Sequence, residues 1–342
     1  MKNFSKLFLR LVSFALVLLV LLFASSLILQ PKSNAKESGM LDTSANGILG
    51  EPENTIDALV IGDSEAYSAF IPLEIWAKHG ITSYVCATSA QILCYSYEFL
   101  EKTFEKQQPR VVFLETNAVY RSFSFSDIAV QKLSEKLSVF RYHDRWKTLS
   151  LRDWSFGVDL SSTEITKGYI YNNGVEPAKA GDYMRRTDAA EKISSENRRY
   201  VEMMKNLCEQ NGAKLVLVSS PSPKNWNMPR HNAVKALSKE LGVEYIDMNL
   251  MGRKIPIDWS RDTKDKGDHL NYSGALKATA YIGKYLEKQG IFEDKREAAE
   301  YSQWNDAVSE FSKQIGKRPE VGKKPGPHPD KTDKTVDFSS KN

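Results

Sequence analysis

The chain has 342 residues, 41% hydrophobic and 11% aromatic, with 47 basic against 43 acidic side chains and a net charge of +4. That length allows one large domain or two ordinary ones. The charge is modest and spread out, with no basic stripe interleaved with aromatics, so nucleic acid is not expected as a partner. Three cysteines, Cys86, Cys94 and Cys208, are too few for a disulfide framework and match no zinc spacing. They are expected as small buried hydrophobes, and neither a metal nor a cofactor is expected.

Residues 11–29, LVSFALVLLVLLFASSLIL, are uncharged and apolar over about the length that crosses a roughly 30 Å hydrocarbon core as a helix. Lys2, Lys6 and Arg10 precede the run, which argues for an N-terminus inside and the remainder outside. The expectation is an uncleaved single-pass anchor over residues 1–29, with the working domain extracytoplasmic at the cell membrane. A cleaved signal peptide is the competing reading. Ser33-Asn34-Ala35 offers a weak cleavage site, but the apolar run exceeds the usual h-region of about 7–15 residues. Residues 30–54, rich in Ser, Asn, Gly, Pro and charge, read as a linker that holds the domain off the membrane.

Asp57–Ile61 is a continuous apolar run and reads as a buried strand, stopped by Gly62-Asp63-Ser64. Ser83–Cys86 is a weaker strand. Gln91–Lys106 has helical length and an apolar face, and Arg110–Glu115 is a strong strand. Ala189–Asn211 reads as a long amphipathic helix closed by Asn211-Gly212. Lys214–Ser219 is a strong strand, His231–Leu241 a helix, Val243–Ile246 a short strand and Ser273–Gln289 the last strong helix. Strands alternating with such helices predict an α/β fold of three layers, a parallel sheet with helices on both faces. Ligands of such sheets bind beyond the carboxyl ends of the strands. Gly62-Asp63-Ser64, Glu115-Thr116-Asn117 and Ser219-Ser220-Pro221 should therefore meet on one edge.

The domain is expected over residues 55–292, with an insertion at 118–188 that carries Trp146, Trp154, Tyr169 and Tyr171 and a turn at Asn172-Asn173-Gly174. Long insertions at that edge often cover a binding site; the alternative is a peripheral subdomain with its own small core. A C-terminal helix is expected over 293–315. Residues 316–342, poor in apolar side chains, are expected to be disordered.

A serine just past a buried strand is either part of an ordinary helix cap or a nucleophile. A nucleophile needs a base within hydrogen-bond reach, an orienting group for that base and donors for the developing oxyanion. Of the five histidines, His269 stands in KDKGDHLNYSGALKAT, close to Asp262, Asp265 and Asp268 and just before a helix. That placement suits a base, oriented by Asp265 or by Asp268. A solvated acidic loop with an incidental histidine is the bland alternative.

This layout resembles the SGNH/GDSL hydrolase superfamily, whose fold is flavodoxin-like. Gly62-Asp63-Ser64 is similar to its first block, with Ser64 in the nucleophile's place. YVCATSAQ, residues 84–91, looks like the second block, with Ala87 where the family usually has an oxyanion-holding glycine. Glu115-Thr116-Asn117 looks like the third, with Asn117 as a side-chain oxyanion donor and Glu115 in place of the usual glycine. His269 matches the last block, but Lys266 occupies its acid position, so Asp265 serves if the loop carries one extra residue, Asp268 by a different turn, and the resemblance also allows a Ser-His dyad. Asp63, Gln91 and Trp226 are candidate substrate-binding residues.

The resemblance implies acyl transfer through a seryl ester, with water or a sugar hydroxyl as acceptor. The topology is similar to membrane-anchored family members that modify surface polysaccharides or teichoic acids, the D-alanyl transfer protein among them. The expected partner is therefore a cell-surface glycan or teichoic-acid-like acceptor. A transferase with one span would also need a multi-pass membrane-bound O-acyltransferase, or an external donor. A lipase-like esterase, which predicts an apolar cleft, and a non-catalytic glycan-binding or assembly protein of the same fold are the alternatives.

Overall fold

The computed structural model of the chain describes residues 2–316. Five strands, β1 (Ala58–Gly62), β2 (Ser83–Ala87), β3 (Val111–Glu115), β4 (Lys214–Ser219) and β5 (Glu244–Asp247), form one parallel sheet in the order β2-β1-β3-β4-β5. All five expected strands are present, displaced by at most a residue at either end. Their side chains alternate between the two faces. Leu59, Ile61, Val112, Leu114 and Leu217 meet the helices Leu93–Phe104, Ser195–Gln210 and Met228–Leu241. Val60, Val85, Phe113, Val216 and Val218 meet the helices Ser64–Ala69 and Tyr272–Lys288. Burial on both faces is why the strands read as unbroken apolar runs rather than alternating ones. The expected three-layer α/β architecture is the one observed.

Helix boundaries follow their caps. The long helix starts at Ser195 rather than Ala189, because the Ser194 hydroxyl accepts the Asn197 N–H at 3.1 Å. A helix over Pro72–His79, absent from the expectations above, opens with Pro72 at its first turn and ends at Gly80 in the left-handed conformation (φ 66°). It packs against Tyr272–Lys288 and the C-terminal helix, which runs only over Ser302–Gln314. Trp76 and Trp304 are fully buried there. The tail expected to be disordered lies, from residue 317 on, outside the described residues.

One helix among the described residues, Lys2–Leu29, is long and apolar enough to cross a membrane. The stretch after it is not a free linker. Ala45 and Ile48 are buried in the main core, the Tyr84 hydroxyl donates to Ser44 O at 2.8 Å, and Glu51 pairs with Lys167 at 2.7 Å in the interior. The small and polar residues that suggested a linker are those that let the backbone lie flat on the domain. A Cβ at Gly50 would stand 2.1 Å from Ser162 O.

Candidate active site

β1 and β3 are neighbours although β2 lies between them in sequence, so the winding reverses at this point of the sheet. In open α/β sheets that switch point is where ligands bind. The register brings Gly62 beside Ala87, Ile61 beside Leu114 and Glu115 beside Val218, so the carboxyl ends of four strands share one edge. The three expected loops meet there. Gly62 is required by close approach: an added Cβ would lie 2.6 Å from the Glu115 Cβ and 3.1 Å from that of Ala66. The Asp63 carboxylate caps the next helix by accepting the Glu65 N–H at 3.0 Å, and Ser64 is its first residue. Capping and the presentation of Ser64 thus coexist, performed by adjacent residues.

The Ser64 hydroxyl lies 2.8 Å from His269 Nε2, and His269 Nδ1 lies 2.6 Å from Asp265 Oδ2. The second Asp265 oxygen accepts the His269 backbone N–H at 2.7 Å. Asp265 sits four residues before the histidine, and the extra residue is absorbed by Lys266 and Gly267, both left-handed (φ 60° and 87°). Thr263 closes the loop from within: its hydroxyl donates to His269 O at 2.9 Å and accepts from Gly267 N at 2.8 Å. Ser222 clamps it from β4's side by donating to Asp268 O at 2.7 Å.

Asp268 is displaced from the orienting role considered for it. It lies 3.7 Å from His269 Nδ1, and its oxygens are taken by Lys224 Nζ and Asn225 Nδ2, each at 2.6 Å. Partial burial raises its pKa, but the bonds from Lys224 and Asn225 outweigh that and hold it below the usual carboxylate range.

Three candidate substrate residues are structural. Asp63 is fully buried and accepts from Asn117 Nδ2 at 2.8 Å and from Arg121. Gln91 is buried and donates to Ser96 Oγ at 2.9 Å, bracing the loop after β2. Trp226 is buried, donates to Asp247 at 3.0 Å and packs edge-on against Tyr120. Ala87 belongs to the ladder as the last residue of β2. The left-handed backbone that favours glycine falls at Ala90 (φ 53°), whose loop lines a cleft of about 430 Å³ with Asn117, Arg121 and Arg230. Asn117 commits one amide hydrogen to Asp63 and keeps a second.

The aromatic side chains expected over the cleft are elsewhere. Tyr169 is in the core, Tyr171 packs edge-on against Tyr272 and Phe311, and Trp146 and Trp154 are exposed beside the N-terminal helix. The insertion reaches the site instead through its last segment. Glu176 N donates to Thr263 O at 3.1 Å and Glu176 O accepts from Lys266 N at 3.0 Å, which holds the His269 loop from outside.

Several contributors carried no sequence signal. Behind Ser64, Glu65 and Glu115 are buried with Asp63. Burial first, then the neighbouring carboxylates, raises both pKa values, that of Glu115 to about 8. Glu115 still ties two loops together, accepting from Asn117 N at 2.9 Å and Ser220 N at 3.1 Å. Asn225 bridges Glu65 and Asp268. Tyr67 lies one helical turn from Ser64, and burial raises the pKa of its hydroxyl. Spacing of three on a helix was the one available clue to Tyr67.

No family model matches the chain, and no curated protein matches it. Solved structures of GDSL-type lipases and esterases are similar to it. A lipase/acylhydrolase from Enterococcus faecalis is 11% identical over 68% of this chain and 97% of that one, with a TM-score of 0.36. A GDSL-like lipase from Bacteroides thetaiotaomicron is 13% identical over 68% and 88%, with a TM-score of 0.33. A catalytic mutant of an acetylxylan esterase from Geobacillus stearothermophilus is 11% identical over 70% and 96%, with a TM-score of 0.34. At this level of likeness nothing about activity transfers, and the reading of the site rests on its own geometry.

Proposed function

We propose that the chain is a GDSL-type serine esterase or O-acyltransferase that works outside the membrane on a hydroxylated acceptor of the cell surface, a glycan or teichoic-acid-like polymer. The observation that carries this reading is the relay from Ser64 through His269 to Asp265, at 2.8 and 2.6 Å, at the switch point of the sheet. With Nδ1–H donated to the Asp265 carboxylate, Nε2 is the free base and takes the Ser64 proton as Oγ attacks the acyl carbonyl. The tetrahedral oxyanion is held by the Ser64 N–H, by the loop at Ala87–Ala90 and by the second Asn117 amide hydrogen. Collapse breaks the bond to the leaving alkoxide, which takes the proton from His269 and leaves the acyl group on Ser64. Water or a sugar hydroxyl then attacks in the same way, losing its proton to His269, and frees the serine.

The cleft beside the site supports a polar acceptor over a long acyl chain: Asn117, Arg121, Ser122, Asn225 and Arg230 line it. The membrane helix supports action at the cell surface. A transferase of this kind takes its acyl group from an external donor or a multi-pass membrane-bound O-acyltransferase.

The test is a short acyl ester with the full chain in detergent, read by turnover and by intact mass. An acyl adduct that disappears in Ser64→Ala, with turnover lost in both Ser64→Ala and His269→Ala, is the expected result. Equal weak activity in all three proteins, with no adduct, would discard the catalytic reading. Adding purified surface glycan distinguishes acceptor use from hydrolysis.

A further inference from the structure

The N-terminal helix is joined rigidly to the domain. Ser26 Oγ accepts from Val139 N at 3.2 Å, and Ser26 O accepts from the Ser138 hydroxyl at 2.9 Å. Leu29 O accepts from Arg145 Nη1 at 2.7 Å, and Lys32 O from Asp159 N at 2.8 Å. The segment between Arg145 and Asp159 is thus pinned at one end to the last residue of the helix and at the other to Lys32, three residues beyond it, and a buried pair of Arg145 with Asp153 ties its middle down.

That segment displays four large apolar side chains, with the basic Lys147 and Arg152 exposed among them. Leu151 is 93% exposed, Phe156 87%, Trp146 66% and Trp154 63%. Clustered exposure of this kind on a soluble face marks a contact surface, and tryptophan favours the membrane–water boundary. The depth agrees. At 1.5 Å per residue the helix covers about 24 Å from Arg10 to Ser26 and about 29 Å from Arg10 to Leu29, against a hydrocarbon core of roughly 30 Å. The turns bonded to Ser26 and Leu29 therefore sit at the outer boundary of the bilayer.

We propose that residues 146–158 form a membrane seat, in which Trp146, Leu151, Trp154 and Phe156 enter the outer leaflet around the helix exit and hold the domain against the lipid surface. The proposal rests on the reading of Lys2–Leu29 as a membrane anchor. The occupant is lipid rather than another protein because the patch is continuous with a helix whose exposed faces are themselves apolar up to Phe23.

The experiment uses the full chain in protein-free phospholipid vesicles whose acyl chains are brominated either near the headgroup or near the chain end. Bromine quenches tryptophan at contact. The expected result is quenching by the headgroup-proximal label that is largely lost in the Trp146→Phe/Trp154→Phe variant; both side chains are exposed, so the fold does not depend on them. Carbonate-resistant protein whose quenching is absent, or unchanged in the variant, would overturn the seat and leave the anchor standing. Release by carbonate would overturn the anchor and the seat together. Unquenched tryptophans in a protein that dimerises in the vesicles would assign the patch to a second copy instead.

Discussion

Asp265 meets two demands with one carboxylate: one oxygen holds the His269 main chain and the other its Nδ1. An amide there offers only one oxygen and turns N–H toward Nδ1, which favours the wrong tautomer. Asp265→Asn is expected to lower kcat by about 10²- to 10⁴-fold, whereas Asp268→Asn, remote from Nδ1, loses far less; steady-state kinetics on a short ester separate them. Ser64→Ala is expected to cost on the order of 10⁴- to 10⁶-fold. The buried Glu115 makes a second residue-scale prediction. Its pKa is raised to about 8 from 4.5, chiefly by burial and then by Asp63. The folded state therefore binds a proton that the unfolded state has released, and stability falls as pH climbs from above 4.5 through about 8. Thermal melts across that range should slope downward, and Glu115→Gln, which removes the charge but gives up one of the two backbone N–H bonds that Glu115 accepts, should lower stability overall and lessen the slope, with the share of Glu65 remaining. Ser64 and His269 were legible because strand end and helix start punctuate the sequence. The choice between Asp265 and Asp268 was not, since it depends on Lys224 and Asn225 arriving from a distant loop.

Among the elements, the loop from Thr263 to Leu270 does most of the positioning. Gly267 holds φ 87°, and an added Cβ would stand 2.7 Å from Pro223 Cγ and 3.0 Å from the Ala178 Cβ. Gly267→Ala is expected to cost about 1–3 kcal/mol and to lower kcat more than its stability loss explains, because the loop carries both His269 and Asp265. Denaturant titration alongside activity measures the two effects. Strand and helix periods were readable in the sequence because each segment's burial is set by its own pattern. The role of the insertion was not: its bracing segment at Glu176 has no apolar period, only backbone bonds to the loop it supports.

For the whole molecule, the stretch between helix and domain is part of the fold. Lys167 is buried, bonded to Glu51 at 2.7 Å and set over the Trp304 ring at 4.8 Å, so three distant parts of the chain meet at one cation. Lys167→Ala would leave the Glu51 carboxyl buried without its partner and is expected to destabilise by about 3–5 kcal/mol, read as a fall in the denaturant midpoint. A chain shortened to begin at residue 55 should melt well below one beginning at residue 25. The sequence by itself determined the parallel α/β architecture, the apolar N-terminal helix and the positions of Ser64 at a strand end and His269 before a helix, because hydrophobic period and helix punctuation are local signals, while the pairing of the two was expected only from the resemblance. Tertiary structure alone decided that Asp265 is bonded to the histidine, that Asp63, Gln91 and Trp226 are internal braces, that residues 30–54 are packed, and that the exposed tryptophans lie on segments against the N-terminal helix. Each of these depends on contacts between residues far apart in the chain, whose cost or gain is set only when the layers close.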